Sequence, residues 1–344
     1  NRSSAILCGS RPGSASVDQG TPCGLRQSRD SAGPTACPGE IGPAGMRANL
    51  PVPRLVLALE AELGEGPIWD HSRHLLLWVD ILQRRLHTLD PITARHRVLQ
   101  FEQMISAVTP TAAGDWLAAA DRGFIRIDPD SGQVVPVLDV EPAGSRRRMN
   151  DGAVDPAGRF WAGSMSLDGA AGQGTLYRLD GNLSVTPMVS PVTTSNGPAW
   201  SPDGTLMYYV DTRTRRIDVF DFDAATGDLR DRRPFVSFSD GPGRPDGIIV
   251  DASGGVWVAL WEGAAVHRYL PDGTLDLLIP MPVRCPTKCA FGGTDLGDLY
   301  ITTARAPLSP EERAADRLSG GLFHLRPGFT GQRPVPFVEA PDAA

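Results

Sequence analysis

The 344-residue sequence lacks features that define several common classes of protein. No apolar run approaches the roughly 20 residues that span a bilayer, so we expect no membrane partner. The 33 basic side chains form no long cluster and are outnumbered by 40 acidic ones, which argues against nucleic acid as a partner because phosphate neutralisation needs clustered Lys and Arg. Five Cys do not make a disulfide scaffold in a chain of this length, and Cys285 and Cys289 are expected to be buried free thiols.

Lysine and the common hydrolase motifs are also missing. Lys288 is the only lysine, and every other basic side chain is arginine. Codon usage in a GC-rich genome produces this bias, which by itself predicts no chemistry. No G-x-S-x-G turn is present, which argues against a Ser–His–Asp hydrolase. The six His form no H-E-x-x-H, the pattern of zinc peptidases.

Residues 1–45 differ in composition from the rest of the chain. They are rich in Ser, Gly, Pro and Arg and lack hydrophobic periodicity, so we predict a disordered segment outside the folded domain, which we place at residues 50–340. No stretch resembles a signal peptide, and a cytoplasmic location is expected. The three Cys of this segment match no zinc-binding spacing: Cys8, Cys23 and Cys37.

From residue 50 onward, short strand-like runs repeat. One aromatic residue from each run marks a period of 38 to 48 residues: Trp78, Trp116, Trp161, Tyr209, Trp257 and Tyr300. A period in the forties made of short strands is typical of β-propeller blades, and residues 53–338 have room for six. We therefore predict an all-β, six-bladed β-propeller.

Two further expectations concern the ends of this repeat region. The apolar runs at 54–62 and 321–327 are expected to share the last blade, with one strand from each end of the chain closing the ring. No amphipathic helix of 12 or more residues is evident. Residues 308–317 are expected to form one short helical turn that starts at Ser309 and Pro310.

When the repeats are aligned, an oxygen-bearing side chain precedes a glycine at the same place in four of them: Glu65, Asp151, Asn196 and Asp246. Each dipeptide taken alone is most simply a turn. Four in register favour a shared site, because the short apolar strand that follows each would be the innermost strand of its blade. Carboxylate and amide oxygens that converge on the channel are typical ligands of a hard cation.

Six strings resemble the senescence-marker-protein (regucalcin)/gluconolactonase family, in family order and over residues 55–335: LGEGPIW (63–69), RRMNDGAVDPAGRFWAGSM (147–165), SNGPAWSPDG (195–204), YYVDT (208–212), RPDGIIVDASGGVWVALW (244–261) and CAFGG (289–293). The resemblance implies a six-bladed propeller with one divalent metal ion in its central channel. It also implies hydrolysis of a sugar lactone, such as gluconolactone or a pentonolactone, to the aldonic acid.

The resemblance also assigns roles to individual residues. It implies Glu65, Asn196 and Asp246 as metal ligands, with Asp246 as general base. Arg148 and Asn150 would bind the substrate. In this blade the family uses Asn150, so the repeat alignment, which selects Asp151, is displaced by one residue there.

One segment departs from the family pattern. In animal members a longer loop after the GSM strand supplies a carboxylate to the sugar, whereas residues 166–173 here are short and Gly-rich. Whether Asp168 or Gln173 substitutes for that carboxylate is left open, and so is the identity of the sugar.

Two other functions are compatible with the same residues. One is a non-catalytic, calcium-binding regulatory propeller, and the other is a promiscuous esterase at the same metal site. The intact ligand set beside Arg148 and Asn150 favours the lactonase. An oxygen-rich site is compatible with Ca, Zn, Mn, Mg or Fe(II). The small-molecule lactone is the expected partner, for a monomer or weak dimer.

Overall fold

The computed structural model describes residues 52–239 and 241–340. The disorder predicted for residues 1–45 and the three Cys of that segment lie outside the described residues. The domain limits of 50 and 340 therefore stay predictions.

Within the described residues, 24 strands form six antiparallel four-stranded sheets, which we call blades 1 to 6. Blades 1 to 3 consist of β2 (Gly64–Asp70), β3 (Leu75–Asp80), β4 (Arg85–Asp90) and β5 (Arg95–Gln100); β6 (Ile105–Pro110), β7 (Trp116–Ala120), β8 (Gly123–Ile127) and β9 (Val134–Asp139); and β10 (Arg147–Val154), β11 (Phe160–Ser166), β12 (Gly174–Leu179) and β13 (Val185–Val192).

Blades 4 to 6 consist of β14 (Ser195–Trp200), β15 (Leu206–Asp211), β16 (Arg216–Phe222) and β17 (Leu229–Ser237); β18 (Arg244–Val250), β19 (Val256–Trp261), β20 (Ala265–Tyr269) and β21 (Leu275–Pro280); and β22 (Pro286–Gly292), β23 (Asp298–Thr303), β24 (Leu322–Leu325) and β1 (Arg54–Leu57). In each blade the first of these strands contacts the first strands of both neighbouring blades, so the six first strands ring the central channel. The predicted six-bladed β-propeller is confirmed.

Blade 6 closes the ring with strands from both ends of the repeat region. β1 pairs antiparallel with β24, and Arg54 lies opposite His324 while Leu55 lies opposite Phe323. The predicted sharing of the last blade is confirmed. The strand contributed by the N-terminal side is shorter than the predicted run, since it ends at Leu57.

The aromatic residues that mark the repeat all lie on the second strand of their blades and are almost fully buried. They fill the space between blades, where each large ring removes about 150–250 Å² from water. Three of the indoles also donate a hydrogen bond to an Asp that ends or follows a first strand. Trp116 donates to Asp70 at 3.0 Å, Trp161 to Asp155 at 2.9 Å and Trp257 to Asp251 at 2.8 Å. The repeated aromatic residue thus fills the space between blades, and in these three cases its indole also holds the Asp at the end of a first strand.

The expectations about the short helix and the two buried thiols also hold. Helix α1 (Pro310–Ala315) begins after Ser309, whose hydroxyl accepts a hydrogen bond from the Glu312 amide. Cys285 and Cys289 are buried and free. No helix among residues 52–239 and 241–340 is long and apolar enough to cross a membrane.

Ring closure gives a prediction about stability. A variant that lacks residues 1–57 loses β1, leaves the edge of β24 unpaired and removes Leu57 from the core cluster around Trp69. We expect its Tm to fall by about 5–10 °C. A control that lacks only residues 1–45 should stay within about 2 °C of the full chain. Thermal unfolding followed by circular dichroism makes the comparison, and equal Tm values for the two variants would contradict the role given to β1.

Candidate functional site

The four residues selected by the repeat alignment lie on four of the six channel-lining strands. Glu65 is on β2, Asp151 on β10, Asn196 on β14 and Asp246 on β18. All four side chains are buried, with 6% or less of their surface exposed. The structure therefore brings together residues that are 181 positions apart in the chain.

The strands themselves are irregular where these residues occur. The ladder between first and second strands shifts between Glu65 and Ile68, between Met149 and Gly152, and between Asn196 and Ala199. It shifts again between Pro245 and Ile248. Such bulges re-aim side chains and interrupt pairing, so the X-Gly dipeptides are bulges within strands instead of turns between them. Gly197, with a φ of 78°, needs the conformational freedom of glycine at this point.

A chain of hydrogen bonds orients the amide side chains. The Arg148 guanidinium donates to Asn150 Oδ1 at 2.7 Å, and Asn150 Nδ2 donates to Asn196 Oδ1 at 3.0 Å. Asn196 Nδ2 donates in turn to Thr212 Oγ1 at 2.7 Å. Because its nitrogen is bonded to Thr212, Asn196 presents its oxygen to the side on which Asn150 lies. Thr212 was not predicted from the sequence, although it is the last residue of the string YYVDT.

Asp151 makes different contacts from those of its neighbour Asn150. Its carboxylate accepts hydrogen bonds from the Gly152 amide at 2.7 Å and the Gly197 amide at 2.9 Å. It also pairs with the Lys288 ammonium, Nζ to Oδ1 at 2.6 Å. The repeat alignment placed Asp151 among the cation ligands, and in the structure this carboxylate already has a cation.

Sequence analysis missed Lys288. It lies on β22 of blade 6, and its side chain is only 5% exposed. The available signal was its uniqueness, because the one lysine among 33 basic residues occupies the channel. Codon usage explains the arginines but does not explain this exception.

Burial and mutual repulsion make the two remaining carboxylates hard to ionise. Burial, followed by repulsion from Asp151, raises the pKa of Glu65 to about 8. Burial, followed by repulsion from Glu65 and Asp151, raises the pKa of Asp246 well above its ordinary value. Burial also lowers the pKa of Arg148 to about 10, although both carboxylates oppose that shift. Glu65, Asp246 and Arg148 thus each shift the pKa of at least one of the others, because these charged groups lie near one another in the channel.

The donor set fits a hard divalent cation. Three buried carboxylates, Glu65, Asp151 and Asp246, accompany two buried cationic groups, Arg148 and Lys288, so one negative charge is uncompensated when all five groups are ionised. An added cation would offset the free-energy cost of ionising the buried carboxylates of Glu65 and Asp246. No three His, Cys, Asp or Glu side chains are grouped as a metal site in the described part of the chain. A cation held by the predicted set would therefore need the amide oxygen of Asn196 besides two carboxylates.

The short loop after β11 places Asp168 at the surface. Its carboxylate accepts from the Ser166 hydroxyl and from the Ala170 amide, the latter at 3.2 Å, and it lies 3.4 Å from the Arg146 guanidinium. These are contacts within the loop and its base. Whether Asp168 or Gln173 reaches a substrate stays open.

The other half of the channel is apolar. A cavity of about 330 Å³ is lined by the later residues of the first strands and by residues 331–335. Lys288 lies on its wall, at the boundary with the acidic group. Fold and channel together define the class: a six-bladed β-propeller that carries buried carboxylate, amide and guanidinium groups in its central channel.

Comparison with known proteins identifies the family. Residues 63–305 match the SMP-30/gluconolactonase/LRE-like region, and the chain belongs to that family, as the sequence resemblance predicts. YvrE of Bacillus subtilis (strain 168), provisionally named a sugar lactone lactonase, is 36% identical over 81% of this chain and 96% of its own length. The pentonolactonase XacC of Haloferax volcanii is 36% identical over 80% of this chain and 95% of its own length.

A solved structure supports the same assignment. The crystal structure of regucalcin from Agrobacterium tumefaciens, described as a calcium-binding protein, has 30% sequence identity and a TM-score of 0.80. The similarity covers 83% of this chain and 97% of that protein.

The raised pKa of Glu65 predicts how the metal-free protein responds to pH. The folded protein holds the Glu65 proton more tightly than the unfolded chain does, so stability is lost as the pH rises from 4.5 to about 8. The loss should reach up to about 1.4 kcal/mol per pH unit. Denaturant unfolding of EDTA-treated protein at pH 5, 6.5 and 8 measures it. Glu65→Gln should make this dependence shallower, and Asp246, whose pKa is also raised, should account for what remains.

The control for this prediction is Glu102→Gln, which changes an exposed carboxylate outside the channel. It should keep the wild-type pH dependence. An EDTA-treated wild type that gains stability between pH 5 and 8 would contradict the assignment of Glu65 as a buried, uncompensated acid.

Proposed function

We propose that this protein is a metal-dependent lactonase that hydrolyses a sugar lactone, either gluconolactone or a pentonolactone, to the aldonic acid. The observation that carries the proposal is the convergence of Glu65, Asn196 and Asp246 beside Arg148 and Asn150 in the channel. Membership of a family that includes gluconolactonases and the likeness to a pentonolactonase support the substrate class.

In this proposal Glu65, Asn196 and Asp246 hold one divalent ion, which is Ca, Zn, Mn, Mg or Fe(II). When bound, the ion supplies Lewis acidity at the lactone carbonyl. The raised pKa of Glu65 and Asp246 supports this assignment, since burial and mutual repulsion outweigh the nearby cationic groups at both carboxylates. The calcium-binding description of the similar regucalcin structure supports a metal ion in general.

The protein's own side chains supply proton transfer and orientation. Asp246 acts as general base, either taking the proton of the attacking water or relaying it to the ring oxygen. Arg148 uses one of its nitrogens on Asn150 and the Met149 carbonyl, which leaves other N–H groups for sugar hydroxyls. Fixing these hydroxyls orients the lactone for attack.

The first test is metal-dependent turnover. EDTA-treated protein should lose hydrolysis of D-glucono-1,5-lactone and of xylono- and arabinono-lactone, and one added divalent metal should restore turnover on at least one of them. Acid release measured by pH-stat, corrected for spontaneous opening, gives the rate. An absence of turnover above the spontaneous rate for every lactone and metal would overturn the proposal.

The second candidate function is a non-catalytic, calcium-binding regulatory propeller, favoured by the description of the similar regucalcin structure. Calcium binding measured by calorimetry, together with no turnover on any lactone, is the result expected from it. Turnover of p-nitrophenyl acetate without turnover of lactones would instead indicate an esterase.

The general base can be tested separately. We expect Asp246→Ala to abolish turnover and Asp246→Asn to lower kcat at least about 100-fold, the usual contribution of a positioned base. Asp272→Asn, an exposed turn residue of the same blade, is the matched control and should keep wild-type kinetics. Initial rates at saturating metal distinguish lost chemistry from weaker metal binding, and wild-type-like activity in Asp246→Ala would rule out the role.

A further inference from the structure

The only lysine of the chain crosses the channel to reach another blade. Lys288 projects from blade 6, and its ammonium lies 2.6 Å from Asp151 Oδ1 and 3.4 Å from the Gly152 carbonyl oxygen, both in blade 3. No other lysine or arginine pairs with Asp151 in the described residues. This ion pair is buried on both sides, with side-chain exposures of 5% and 1%.

The path of the lysine stem depends on a neighbouring glycine. A Cβ atom added at Gly247 would lie 2.5 Å from both Cβ and Cγ of Lys288, closer than any side chain can approach. Gly247 directly follows the proposed ligand Asp246. The bulge that aims Asp246 therefore also opens the space through which the lysine stem passes.

The ion pair changes the charge that the other carboxylates experience. Asp151 repels the ionised forms of Glu65 and Asp246, and Lys288 attracts them. With both members of the pair present, the lysine opposes the repulsion that Asp151 exerts. When Glu65 and Asp246 are ionised, as they would be around a bound cation, they carry the net negative charge of the site, opposed by Arg148.

We infer that Lys288 is a built-in counter-charge, which neutralises Asp151 and thereby sets the affinity of the channel for its divalent ion. This inference rests on the proposed metal site. It differs from a purely mechanical role, in which the ion pair would only brace blade 3 against blade 6. Without the ammonium, a third buried carboxylate would be free to act on the bound cation, and the ion would bind more tightly.

Four proteins separate the charge of the pair from its shape. The pair carries no net charge in the wild type, one negative charge in Lys288→Met, one positive charge in Asp151→Asn and none in the double variant. Divalent-ion affinity should follow this order. Lys288→Met should bind about tenfold more tightly and Asp151→Asn about tenfold more weakly, while the double variant should stay within about threefold of the wild type.

The measurement is calorimetric titration of each EDTA-treated protein with Ca²⁺ and with Mn²⁺. A mechanical brace predicts that both single variants bind more weakly, and that result would overturn the inference. Equal affinity of Lys288→Met and wild type would overturn it as well. If Lys288→Met does not fold, the double variant compared with Asp151→Asn isolates the lysine charge, and the double variant must bind more tightly.

The single lysine also offers a direct spectroscopic readout. Protein labelled with ¹⁵N-lysine gives one side-chain ammonium signal, and saturating Ca²⁺ should shift it, whereas Asp151→Asn should move it even without metal. A signal unaffected by Ca²⁺ in a protein that binds Ca²⁺ would place the lysine outside the field of the ion and overturn the inference. A wild type that binds no divalent ion would instead contradict the proposed function itself.

Discussion

The ion pair between Asp151 and Lys288 is the interaction on which the charge balance of the channel depends. Through it, blade 6 is joined to blade 3, and through the Gly197 amide the same carboxylate reaches blade 4. Breaking a buried pair by removing one partner leaves an uncompensated charge in a low-dielectric interior, which is far more costly than losing an exposed pair. The propeller supplies six strands around an axis, and this ion pair sets how much negative charge they present to the channel.

The architecture was predictable because its signal is repeated. The aromatic residues from Trp78 to Tyr300 recur at blade-length intervals, since each must fill the same space between neighbouring sheets. Ring closure was also predictable, because an apolar run at each end of the repeat region needs a partner. The C-terminal end of β1 was not, since four mostly exposed residues carry little periodicity and tertiary pairing with β24 decides where the strand stops.

The site was predictable only in part. The repeat alignment selected Glu65, Asp151, Asn196 and Asp246, all of which lie on channel-lining strands. A bulge adds a residue to a strand, and sequence spacing does not show which of two neighbours, Asn150 or Asp151, points toward the axis. Only the family resemblance pointed to Asn150. Lys288 and Thr212 escaped detection for a different reason. Each acts through a contact with another blade or turn, and a single residue without a repeated counterpart leaves no pattern along the chain.

Closure of the ring by β1 has a consequence for biosynthesis. Arg54 emerges early from the ribosome, whereas its partner His324 follows about 270 residues later, which at about 5–20 residues per second is a delay of roughly 15–50 s. During that interval five blades can assemble while β1 keeps an open hydrogen-bonding edge, the kind of surface that invites pairing between chains. Lys288 arrives with the last blade, so Asp151 acquires its counter-charge only as the nascent chain completes the circle.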